Sequence, residues 1–163
     1  MKQLRLGVSL FVALAAFGIT SPAAQAERAE VRQANLTQNA ASGASAAAQI
    51  NTIRARAGLP PVQRNAKLDA AAHAQASFMA ANRIMTHKGR NGSDVGQRVS
   101  STGYTWCTVA ENVSRGYRTE ARAIEAWRVS PGHYRNLVNH RVTQFGIANV
   151  GGFRAMVLAA RRC

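Results

Sequence analysis

Acidic residues are scarce: seven Asp and Glu face 21 Lys and Arg, a formal net charge of +14 over 163 residues. Such a balance suits an anionic partner, whether an envelope polymer, lipid head groups or nucleic acid. The basic residues are nearly all arginine and are spread along the chain. No dense basic run resembles a nucleic-acid arm, so specific nucleic-acid binding is not expected. Cysteine is scarcer still, with only Cys107 and Cys163. Neither has a Cys or His beside it, which argues against a metal pair or a catalytic thiol. Also missing are the H-E-x-x-H and Cys-x-x-Cys signatures of zinc sites and the G-x-S-x-G of a serine hydrolase. No internal repeat is present.

Long apolar runs are confined to the start of the chain. Leu6 to Ile19 is an apolar stretch of 14 residues, preceded by Lys2 and Arg5 and followed by the small-x-small sequence Ala24-Gln25-Ala26. This pattern predicts a signal peptide over residues 1–26. The run falls short of the about 20 residues that a membrane helix needs, and no later segment is apolar enough to span. The expectation is an exported monomer, periplasmic or extracellular, of about +12 after cleavage. An oxidising compartment favours a disulfide between Cys107 and Cys163, a closure worth roughly 4 kcal/mol in chain-entropy terms.

Residues 27–44 are rich in Ala, Gln, Asn and Ser and read as a flexible lead-in. The domain proper is expected over 45–163. A helix from Ser45 carries Ile50, Ile53 and Ala57 and stops at Gly58, after which Pro60-Pro61 forces an extended connection. Asn65 caps a helix to about Asn82 with Leu68, Ala71, Ala72, Gln75, Phe78 and Met79 in one stripe. His73 lies off that stripe and reads as a surface or hydrogen-bonded helix histidine. Asp94 caps a short helix ended by Gly103; Tyr104 and Trp106 read as packing around Cys107. Thr108 to Ser114 is extended, and a helix from Thr119 to Val129 buries Ala123, Ile124 and Trp127. Pro131-Gly132 breaks it, and His133 to Val138 forms a short turn or helix. Gln144–Val150 and Phe153–Ala160 alternate about Gly151-Gly152, a hairpin signal. Helices in front and strands behind make an α+β domain with an antiparallel sheet.

Chemistry concentrates in His87, Glu111 and His133. Two imidazoles and a carboxylate can hold a divalent metal, act as a general acid–base pair, or form a polar network without chemistry. Spacing alone does not choose among these. Glu111 is as readily a structural acceptor as a functional group, and Asn112 reads as a residue that satisfies backbone.

The ordered set His87, Gly103-Tyr104-Thr105-Trp106, Ala110-Glu111-Asn112-Val113, Trp127, Ser130-Pro131-Gly132-His133 and Phe145-Gly146-Ile147 resembles the CAP superfamily. This is the cysteine-rich secretory, antigen 5 and pathogenesis-related group, also called the SCP domain. The resemblance covers about residues 45–163 and is nearest to the short bacterial members. It implies a three-layer α-β-α sandwich with a central antiparallel sheet and a cavity lined by two histidines and two acids. Matched by motif, the histidines are His87 and His133, the first acid is Glu111, and the second acidic position holds Ser130. Glu125 does not replace it, being five residues from Ser130 and so about 140° around a helix. The resemblance further implies a divalent metal, zinc first, held by His87 and His133.

Two functions follow as expectations. One is an exported binding module whose cavity of His87, Glu111, Ser130 and His133 takes a divalent metal or a small ligand at the cell envelope. The other is a metal- or histidine-dependent hydrolase, a peptidase or esterase, with Glu111 and His133 as its catalytic groups. The absent second acid and nucleophile motif favour the first.

Overall fold

The structure, a computed structural model, describes residues 21–162. Most of the expected signal peptide and Cys163 lie outside these residues. The chain divides into two compact units between Leu36 and Thr37, and the second carries the sheet and the site. The elements run α1 (Pro22–Arg56), β1 (Gln63–Arg64), α2 (Ala66–Asn82), a 3-10 turn (Arg90–Gly92), α3 (Val95–Ser101), β2 (Thr108–Arg115), α4 (Glu120–Val129), α5 (Pro131–Leu137), β3 (Gln144–Val150) and β4 (Phe153–Ala160). No helix among the described residues is long and apolar enough to cross a membrane.

Local signals set most boundaries. The Asn65 side chain accepts from Lys67 N to open α2, Asp94 and Gln97 form a reciprocal capping box on α3, and Thr119 accepts from Arg122 N on α4. Pro131 takes the first position of α5, where its missing N–H costs nothing. Two expectations need correction. Helix α1 starts at Pro22 rather than Ser45, so the stretch 27–44 is helical; alanine and glutamine supply helix propensity there without an apolar stripe. Strand β1 was not expected after Pro60-Pro61, because only two residues pair, and they do so with a distant strand.

The sheet order is β1-β3-β4-β2, with β1 parallel to β3 and the other pairs antiparallel. Strand β4 is interior and covered on both faces, so all eight of its residues are buried and the expected alternation does not appear as alternating exposure. Its side chains still alternate between two cores. Met156 and Leu158 join Phe145, Ile147, Ile50, Ile124, Trp127 and Leu137 on the side of α1, α4 and α5. Ala155, Val157 and Ala159 join Leu68, Ala71, Ala72, Ala76, Met79 and Val99 on the side of α2 and α3. The result is the three-layer α-β-α sandwich.

Single residues fasten the layers. Asp69, in the first turn of α2, accepts from Ile147 N at 2.9 Å and pairs with Arg64. Beneath it lies Gly146, where a Cβ would sit 2.1 Å from Asp69 N and from Leu68 C. Only glycine allows that approach of helix to strand. On the opposite side, the fully buried Arg54 donates to four main-chain carbonyls: Pro60 and Leu137 at 2.9 Å, Asn139 at 3.0 Å and Val142 at 3.3 Å. Tyr104 is buried as expected and donates to Gln144 Oε1 at 2.7 Å. Trp106 instead lies against Gly96 on α3, donates to Ser100 Oγ and stays 37% exposed.

Candidate functional site

Edge strand β2 places the site. Glu111 is opposite Val157 and Asn112 opposite Met156, so the two side chains leave the strand on opposite faces. Glu111 turns toward α2 and α3 and Asn112 toward α4 and α5, and the site wraps around the strand between them.

On the first face the Glu111 carboxylate is buried and both oxygens are engaged. Oε1 is 2.8 Å from His87 Nδ1, and Oε2 accepts from Arg98 Nη2 at 2.7 Å. Arg98 is itself buried, and its Nη1 donates to Ser93 O at 2.6 Å. The loop bearing His87 is clamped by the buried Gln75 of α2, whose Nε2 donates to Thr86 O at 2.5 Å and to Lys88 O at 3.5 Å. The His87 ring remains well exposed, at 60%.

On the second face Asn112 donates to His133 O at 3.1 Å. Asn136 of α5 donates to Asn112 Oδ1 at 2.8 Å and to Glu111 O at 3.2 Å. Trp127 Nε1 donates to Val113 O at 3.1 Å. Side chains thus cover carbonyls along a strand edge that would otherwise remain unpaired. His133 is half-buried, and its Nδ1 lies 3.0 Å from Ser130 Oγ. The hydroxyl makes no cap bond to α5, so at the position of the second acid it serves the imidazole. Burial, then the charge of His87, lowers the pKa of His133 below its ordinary 6.5.

The expected residues thus arrive as two hydrogen-bonded pairs, His87–Glu111 and Ser130–His133, joined through Asn112 and Asn136. A cavity of about 270 Å³ is lined by Ser130, His133, Ser114, Tyr117 and Trp127 among others, while His87 and Glu111 are not in its lining. Glu125 lies apart, in an exposed pair with Arg128. His73 is exposed on α2, near Ser77 Oγ at 3.4 Å. Sequence reasoning missed Arg98, Gln75 and Asn136; Gln75 was visible only as a polar residue inside an apolar stripe, and Arg98 gave no signal. The Cys107 N–H donates to Ala160 O at 2.9 Å, at the end of β4.

Among the described residues no group of three His, Cys, Asp or Glu side chains is arranged to hold a metal ion. The donors present fit a more limited role. With each proton on Nδ1, both His87 and His133 keep an Nε2 lone pair with no hydrogen-bond partner among the described residues, while an oxygen fixes Nδ1. That is the usual outer-shell arrangement of a metal-binding imidazole. Two protein ligands would leave the remaining coordination positions to water or a bound molecule. The engaged Glu111 is poorly placed to serve as a free base.

Comparison with known proteins agrees with this architecture. The uncharacterized protein YkwD of Bacillus subtilis is 28% identical over 127 residues, which is 75% of this chain and 49% of that protein. The chain thus spans about half the length of this curated relative. An extracellular SCP-domain protein of Bacillus anthracis superposes with a TM-score of 0.66 at 23% identity, over 71% of this chain and 40% of the other. An outer surface protein of Borrelia burgdorferi gives 0.64 at 21% identity, over 71% and 89%. A cysteine-rich secretory protein of Staphylococcus aureus gives 0.57 at 18%, over 71% and 37%. These likenesses show the fold. The family model described as CAP, the cysteine-rich secretory protein family, matches residues 47–154, and the chain belongs to that family.

Proposed function

We propose that this chain is an exported binding module in which His87 and His133 hold a divalent ion, zinc first, through Nε2, with a small ligand completing the coordination. The observation that carries the reading is the pair of Nδ1 anchors, Glu111 for His87 and Ser130 for His133. They orient both rings without using the nitrogen a metal would need. The bound ion would polarise an oxygen of its ligand; the chain's own residues fix the rings and, through Asn136 and Asn112, the spacing of the two segments. The extracellular and outer-surface character of two structural relatives supports export, and the basic composition supports an anionic envelope component as partner. We extend the reading to a Cys107–Cys163 disulfide, supported by the bond from Cys107 N–H to the end of β4.

Native mass spectrometry of the protein with added Zn²⁺ tests the metal reading. About one equivalent should bind, and the His87→Ala, His133→Ala double variant should lose it. Unchanged stoichiometry in a folded double variant would refute the site. A thiol titration under denaturing conditions should find no free thiol, whereas two would refute the pairing.

A further inference from the structure

A second recessed site lies on the other side of Arg98. Helix α2 and the loop through the 3-10 turn enclose a cavity of about 440 Å³, lined by His73, Ser77, Phe78, Arg90, Ser93 and Arg98 among others. That volume is within the roughly 300–1,000 Å³ range of small-molecule sites, and it exceeds the cavity beside His133. No carboxylate lines it. Arg90 is exposed and has no ion-pair partner among the described residues. Arg98 is 94% buried (6% exposed), and its Nε has no hydrogen-bond partner although Nη1 and Nη2 are both used. A buried guanidinium donor without a partner is costly, and Arg98 is one of the residues that line the groove. The wall supplied by α2 offers the half-buried ring of Phe78, with the Ser77 hydroxyl beside it.

We propose that this groove binds a small carboxylate with an apolar body. The oxyanion lies between Arg90 and the hydroxyls of Ser77 and Ser93, within reach of Arg98, and the apolar body rests on Phe78. The two arginines supply charge-assisted bonds, and the aromatic wall separates this ligand from a bare inorganic anion. The site does not depend on the histidine pair or on a metal.

The test is an NMR titration of the full chain at fixed ionic strength with benzoate, inorganic phosphate and the neutral analogue benzyl alcohol. Benzoate should shift the Ser77 and Ser93 amides saturably, more tightly than phosphate, while benzyl alcohol should not bind. Arg90→Gln, at an exposed position, should weaken benzoate about tenfold, equivalent to about 1.4 kcal/mol. Phe78→Ala should weaken benzoate and leave phosphate unchanged, and His133→Ala should alter neither. The absence of saturable shifts, equal binding by the Arg90→Gln variant, or benzyl alcohol binding as tightly as benzoate would each overturn the proposal.

Discussion

The two faces of the sheet are packed by different means. Toward α2 and α3 the strands present Ala155, Val157 and Ala159 against an alanine-rich helix, and Gly146 permits direct contact between helix and strand backbones. Toward α1, α4 and α5 they present Phe145, Ile147, Met156 and Leu158 against Trp127, Ile50 and Leu137. The close face holds its polar group rigidly, with Glu111 locked between Arg98 and His87. The bulky face relies on side-chain bonds to carbonyls, from Arg54, Asn112 and Trp127. A site straddling β2 therefore has one half fixed by charge and the other fixed by main-chain contacts.

The largest effect should come from removing the fastener of the bulky face. Arg54→Ala strands four carbonyls in a buried region and should cost about 4 kcal/mol or more, read as a shift in the urea midpoint. On the close face Arg98→Met leaves the Glu111 carboxylate with His87 alone and should cost about 3 kcal/mol. The Arg98→Met, Glu111→Gln double variant should recover part of that loss, because no unpaired buried charge remains; additive losses would show that the pair does not interact. Gly146→Ala should cost about 2 kcal/mol by forcing α2 off the strand. A neutral outcome there would remove the contrast between the two faces.

The smallest effect concerns His133. Its folded pKa lies below 6.5, so below pH 6.5 the unfolded chain takes up a proton that the folded chain resists. The contribution is fully present above pH 6.5 and is lost as pH falls through the lowered folded value. Stability measured from pH 7 downward should decline less in His133→Asn than in the parent protein. Parallel profiles would contradict the assignment.

Elements ruled by local chemistry were legible in advance. Asn65, Asp94 and Thr119 begin their helices by capping, and Gly151-Gly152 turns the hairpin, whatever the rest of the chain does. Trp127 was recognisable as core from its helical spacing alone. The rest depends on partners far away in sequence. Nothing local shows that Arg98 meets Glu111, that Arg54 reaches α5, or that β1 pairs with β3, since each contact is created by tertiary packing. For the site, the sequence supplied the two histidines, the carboxylate and the serine. It could not show that both Glu111 oxygens are occupied, which adds to the missing second acid as an argument against Glu111 as a free base.

The central claim is that each of the two histidines is anchored at Nδ1 and offers Nε2. Ring ¹⁵N spectra of the protein during Zn²⁺ addition test it most directly. The Nε2 resonances of His87 and His133 should move together and stop at one equivalent, while those of His73 and His140 stay unchanged. Coordination through Nδ1, or movement of only one of the pair, would contradict it.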